Sequence, residues 1–191
     1  MHYNEIPCLV DHETREDCID YAVNKIEDGM ILVELGSYLG GSVARLACKL
    51  KEKGIKCKIY AIDNWVCSNI SRESLMWSQL TNHSEIFEKF KNNLEQLDLT
   101  DYVTYIRSET KDVAEQFEDK SVNYIFFDAC HGFDGVKDEV MAWLPKFADR
   151  CFAFIHDWPM QNIREGVYSV IPKEQIKDVR GGSSAILRDT L

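Results

Sequence analysis

Apolar residues along the chain switch repeatedly between two spacings. From Thr14 to Ile26, Ile19, Ala22, Val23 and Ile26 fall at i, i+3, i+4 and i+7, the period of one helix face. Thr14 and Asp17 resemble a capping box at its start, and Gly29 follows as a stop. Met30 to Leu35 is a short apolar run interrupted only by Glu34, which reads as a buried strand. Helical spacing returns at Val43, Leu46, Ala47 and Leu50 and ends at Gly54. Lys58 to Ile62 reads as a second strand, and Phe87, Phe90, Leu94 and Leu97 mark a helix. Tyr102 to Ile106 is a third strand and Thr110 to Phe117 a short helix.

The second half continues in the same way. Val122 to Phe127 is almost wholly apolar and ends in Asp128. Val136, Val140, Trp143 and Leu144 carry a helix that Pro145 stops. Phe152 to Ile155 is a strand ending in His156-Asp157, followed by a helix near Asn162 to Val170 and a last strand near Ser184 to Leu187. Strands alternate with helices and lack polar alternation, which predicts an α/β fold with a parallel sheet covered on both faces. We expect one domain over residues 1–191, with a helical N-terminal segment at 1–29. Residues 66–82, polar with Met76 and Trp77, are long enough for a lid insertion.

Charge and composition narrow the classes of function. The net charge is −10, from 22 basic and 32 acidic residues, which disfavours a nucleic-acid partner. The densest basic run, Lys49 to Lys58, reads as a solvated helix end. No stretch is apolar for the roughly 20 residues that a membrane helix needs. The N-terminus lacks a basic region followed by an apolar core, so a cytoplasmic protein with no membrane partner is expected. The cysteines Cys8, Cys18, Cys48, Cys57, Cys67, Cys130 and Cys151 form no C-x-x-C pair, which argues against a disulfide framework or a zinc site. Cys48 and Cys151 read as core residues, and Cys130 as the one to test for reactivity.

Candidate chemistry gathers where the strands end. Ile31 to Ser42, ILVELGSYLGGS, reads as a buried strand, a glycine turn and a helix start. That succession either forms a cofactor turn or is an ordinary strand-to-helix connection. The G-x-x-x-G-G spacing differs from the dinucleotide pattern. Ligands of an open parallel sheet bind beyond the carboxyl ends of the strands, where the glycine loop, Asp63, Asp128 and His156-Asp157 all fall. Asp63, roughly 20 residues after the turn, is placed to accept hydrogen bonds from ribose hydroxyls. Trp65 is either a stacking face for adenine or a core tryptophan, and Glu34 in its buried strand requires a partner. His131, three residues after Asp128, can take a proton from a substrate hydroxyl. Asp128, His156 and Asp157 are a candidate metal set that suits Mn²⁺ or Fe²⁺ better than Mg²⁺; the alternative is hydrogen-bonded support for the loop.

VELGSYLGGSVARLA, Asp63-Asn64, FFDACHGFDGVKDEVMAWLPK and FIHDW, in that order, resemble class I S-adenosylmethionine-dependent methyltransferases. The nearest resemblance is to the group of macrocin-type sugar O-methyltransferases and cephalosporin-hydroxylase-like proteins. It implies a Rossmann-like, doubly wound sheet of seven strands, the last antiparallel. It also implies cofactor contacts at Gly36, Ser37, Tyr38 and Gly40, with Asp63 holding the ribose and Ser108 or its neighbours facing the adenine; Ser42, Asn64 and Trp65 are expected in the same cofactor set. Glu34 and Asp128 complete the expected cofactor set, and His131 with Asp128 the catalytic pair. Relatives of this group hold Mg²⁺ through the residue matching Asp128 and two acidic residues, where this chain has His156 first.

The activity implied is transfer of a methyl group from S-adenosylmethionine to a small acceptor, a sugar or another hydroxylated metabolite, with N-methylation using the same fold. The short chain suggests an acceptor pocket that is either shallow or completed by a second subunit, the latter in a homodimer. Two rival readings are a cofactor-binding regulatory domain without turnover and a nicotinamide-dependent oxidoreductase, the latter disfavoured by the glycine spacing.

Overall fold

The computed structural model describes residues 1–7, 13–66, 85–177 and 183–191. The expected lid at 66–82 therefore lies outside the described residues from position 67 onward, as do Cys8 and Cys67. In chain order the elements are α1 (Glu13–Val23), β1 (Ile31–Leu35), α2 (Gly41–Glu52), β2 (Lys58–Asp63), α3 (Glu85–Gln96) and β3 (Val103–Arg107). There follow α4 (Thr110–Val113), β4 (Val122–Phe127), α5 (Phe133–Trp143), β5 (Phe147–Ile155), α6 (Gln161–Tyr168) and β6 (Ala185–Asp189).

The strands form one six-stranded sheet in the order β3-β2-β1-β4-β5-β6. All neighbours are parallel except β5 and β6. The antiparallel last strand agrees with the expectation, but the described residues form six strands instead of the seven implied by the family resemblance, with only an isolated antiparallel bridge from Lys177 to Ile186 beyond β6. The six apolar runs in the sequence each supply one strand, and no further run remains among the described residues.

Successive strand residues point to opposite faces, so each strand feeds two cores. On one face Leu32, Ala61, Phe126 and Phe154 pack with Ile19 of α1, Leu46 of α2 and Phe90 of α3. On the other, Val33, Leu35, Ile125 and Phe127 pack with Val136 and Trp143 of α5 and Ile163 of α6. Burial on both faces explains why the strands read as continuous apolar runs. β5 begins five residues earlier than its apolar run suggested: backbone pairing extends it through the exposed Asp149 and Arg150 to Phe147. Among the described residues no helix is long and apolar enough to cross a membrane.

The sheet order reverses between β1 and β4, which opens a crevice at their carboxyl ends. Pairing of Leu35 with both Ile62 and Phe127, and of Phe127 with Ile155, fixes a common register there. The next residue on each strand is Asp63, Gly36, Asp128 and His156, so these four form one row across β2, β1, β4 and β5.

Candidate active site

Gly36 is the empty position of that row. Its φ is +86°, and a Cβ built there would stand 2.4 Å from the backbone oxygen of Asp128. A side chain is excluded because the end of β4 closes over it, with the Asp128 N–H donating to the Leu35 carbonyl at 2.8 Å. Tyr38 (φ 45°) and Gly40 (φ +87°) are also left-handed, and Gly40 caps α2 without a side-chain hydrogen bond. The first N–H groups of α2 are thereby left to a ligand. Ser42 is buried in this first turn, and the buried Ser37 hydroxyl has no hydrogen-bond partner among the described residues.

Asp63 ties this loop to the one after β2. Its Oδ2 accepts the Tyr38 N–H at 2.9 Å and its Oδ1 the Trp65 N–H at 2.7 Å. The Trp65 indole N–H donates back to the Tyr38 carbonyl at 2.8 Å. Burial raises the Asp63 carboxyl, opposed by the N–H groups of Tyr38, Trp65 and Ser37 and helped by the nearby Asp128 charge. A carboxylate offers about four acceptor positions, so three N–H contacts leave room for one ligand hydroxyl. The indole of Trp65, 2% exposed, packs against Phe87 and Phe90 at 4.8 and 4.7 Å. It is a wall of the core under the loop, not a free face for an adenine. Asn64 donates to Glu109 at 2.8 Å, and the Ser108 N–H donates to the Asp63 carbonyl at 3.0 Å, which brings the turn after β3 to the same edge. Glu34 lies two register positions below Asp63, between Ala61 and Phe126 and 1% exposed, inside the sheet and below its edge.

The other side of the crevice is made by the loops after β4 and β5. His131 Nε2 lies 2.9 Å from Asp157 Oδ2. This bond raises the His131 pKa against the effect of its partial burial. Beneath them His156, 2% exposed, holds its Nδ1 3.2 Å from Asp128 Oδ1 and 3.3 Å from Asp157 Oδ1. These are ion-pair distances, with the ring nitrogen not aligned for a directed hydrogen bond to either oxygen. Burial lowers the His156 pKa, but the two carboxylates carry it up to about 9. Burial likewise raises Asp157, but the two imidazoles hold it well below the usual carboxylate range. Asp157 is itself left-handed (φ 54°), the turn that lets its carboxylate face both histidines.

Asp128, His131 and Asp157 each offer one ligand atom, all within 4.8 Å of one another. The group that converges is thus not the set expected from the sequence: His131 takes the place of His156, which sits underneath as the carboxylates' counter-charge. Burial pushes the Cys130 thiol up to about 12, away from the thiolate a nucleophile needs.

The sequence from 33 to 158, well over half of the chain, matches the family model described as a methyltransferase domain. The chain belongs to the methyltransferase domain family. With its fold, this makes it a class I S-adenosylmethionine-dependent methyltransferase, and the matched stretch runs from β1 to just past the row residue His156. Solved structures of similar fold include a candidate caffeoyl-CoA O-methyltransferase from Staphylococcus aureus, 16% identical with TM-score 0.65, covering 96% of this chain and 85% of that one. The calicheamicin methyltransferase CalS11 is 12% identical with TM-score 0.62, covering 91% of this chain and 76% of that one. A candidate rRNA-methylase from Clostridium thermocellum is 11% identical with TM-score 0.62, covering 93% and 94%. At such identities the likeness shows the fold alone, and the three names differ in substrate. No curated protein matches the sequence.

One buried residue of the methyltransferase was missed by the sequence reading. Glu139 of α5 is 2% exposed and accepts a hydrogen bond from the Thr110 hydroxyl. Burial pushes its carboxyl up to about 7. The signal was present: Glu139 stands three residues after Val136 and four before Trp143, inside the apolar stripe of its helix.

Proposed function

We propose that this methyltransferase methylates a hydroxyl of a small molecule, with His131 as general base. The observation that carries the reading is the His131–Asp157 pair at 2.9 Å on the crevice edge, across from the glycine loop. Asp157 engages Nε2, which leaves Nδ1 to accept the acceptor's proton, and its charge strengthens the base. The glycine loop, the free N–H groups of α2, the unpartnered Ser37 hydroxyl and Asp63 suit S-adenosylmethionine, which supplies a methyl carbon on a sulfonium. With that cofactor bound, the acceptor oxygen would take the methyl carbon as the C–S pair leaves on sulfur, and His131 would take the acceptor's proton. Most of the acceleration comes from holding the groups in line. The net charge of −10 favours a small acceptor over a polyanion such as RNA.

The test is calorimetric titration with S-adenosylhomocysteine, followed by methyl transfer to a panel of sugars and phenols. We expect His131→Ala to keep cofactor binding and to lose about 10²–10⁴-fold in rate. Absence of S-adenosylhomocysteine binding by the wild type would overturn the reading. Mass in solution tests whether a second copy completes the acceptor pocket.

The convergence of Asp128, His131 and Asp157 favours a second reading, in which they hold a divalent ion. Two carboxylates and an imidazole fit Mn²⁺ or Fe²⁺ better than Mg²⁺. The ion would lower the pKa of a bound hydroxyl, and His131 would then be a ligand instead of the base. Mn²⁺ titration followed by electron paramagnetic resonance separates the two. Binding lost in Asp157→Ala supports the ion, while full activity in chelator supports the base.

A further inference from the structure

Three residues one helical turn apart, Gly135, Glu139 and Trp143, line one face of α5, the helix that starts two residues after His131. Each touches a loop of the site. A Cβ on Gly135 would stand 3.2 Å from the Cβ and 3.3 Å from the Sγ of Cys130, so helix and base loop meet there with no room to spare. Glu139 accepts from the Thr110 hydroxyl, and the Cys130 thiol lies against the same carboxyl. Trp143 donates its indole N–H to the Thr110 carbonyl at 3.0 Å. Thr110 ends the turn Ser108–Glu109–Thr110, which is bonded to Asp63 and Asn64 on the opposite side of the crevice.

A buried carboxyl in an otherwise apolar interior carries a desolvation cost that a leucine of similar volume would avoid. Here it touches both the loop carrying the base and the turn bordering Asp63.

We propose that Glu139 is a positioning residue of this methyltransferase: through Thr110 and Cys130 it fixes the turn at 108–110 against the 128–131 loop and so sets the shape of the cofactor crevice. It touches neither cofactor nor acceptor. The inference rests on the proposed cofactor site.

The probe is S-adenosylhomocysteine, titrated by calorimetry at pH 7 into the full chain. Glu139→Leu keeps the volume and removes the acceptor, and Thr110→Val removes the donor. We expect each to weaken binding about tenfold, and the double variant to bind no worse than the weaker single one, as for two halves of one link. Glu139→Gln retains an acceptor for Thr110 and is expected within about twofold of wild type. Leu187→Ala on β6, at the far edge of the sheet, controls for lost stability: it should unfold at lower urea yet bind as the wild type does. Wild-type affinity in Glu139→Leu, additive losses in the double variant, or equal weakening by Leu187→Ala would each overturn the proposal. If Glu139→Leu does not fold, the Thr110→Val and Glu139→Gln pair decides: wild-type binding in Thr110→Val, or tenfold loss in Glu139→Gln, overturns it. Failure of the wild type to bind S-adenosylhomocysteine would instead remove the cofactor reading itself.

Discussion

His131 and Asp157, 26 positions apart in the chain, meet with Nε2 2.9 Å from Oδ2 where the loops after β4 and β5 converge. The bond raises the His131 pKa because the carboxylate stabilises the imidazolium. Asp157→Asn removes that charge and keeps the shape. In metal-free protein we expect the His131 titration, followed by NMR of the ring protons, to move down in the variant, with a lower methyl-transfer rate. An unchanged titration would show that the pair does not hold in solution.

Asp63 is the knot between the first two loops. Asp63→Ala strands the Tyr38 and Trp65 N–H groups, which should cost about 1–3 kcal/mol in urea unfolding. Binding of S-adenosylhomocysteine should fall with it. Asp63→Asn, which can accept on one side only, should lie between wild type and alanine in both measurements.

Glycines of like conformation should respond differently to alanine. Gly54 (φ +71°) has nothing within 4 Å of where a Cβ would stand, so Gly54→Ala meets only the left-handed cost, about 1–2 kcal/mol. Gly36→Ala adds an overlap with the Asp128 backbone and should lose roughly 3 kcal/mol or more. Equal losses by chemical denaturation would mean that the β1 and β4 ends are not in contact.

Glu139 makes stability depend on pH with a defined sign. Burial raises its folded-state pKa from 4.5 to about 7. Between those values the folded protein retains a proton that the unfolded chain has released, so stability falls as pH rises through the window. The full effect is on the order of 3 kcal/mol. Urea midpoints at pH 5 and pH 8 should therefore differ more for wild type than for Glu139→Gln, and the difference should vanish if Glu139 is ionised throughout.

Cys130 should resist modification. With its thiol pushed up to about 12, almost no thiolate is present at pH 8, and Ellman's reagent should label it only after unfolding. Rapid native labelling, located by peptide mapping, would contradict the raised pKa of its partly buried thiol.

Hydrophobic patterning was enough to establish the order of elements, the parallel sheet and the edge on which the chemistry lies. Residues buried on both faces must be apolar along the whole strand, and polar residues resume where the strand leaves the core. Asp63, Asp128 and His156 were legible for that reason. Periodicity also marked the helices, but Glu139, an acidic residue inside an apolar stripe, went unread because its meaning required a partner in space. Which strand-end groups meet was left to the folded chain. Asp157 turns through a left-handed conformation, so His131 reaches the two carboxylates and His156 drops below them. The same kind of turn at Trp65 buries its indole under the glycine loop. Loop torsions and contacts between residues far apart in the chain set these placements, and spacing along a sequence carries neither.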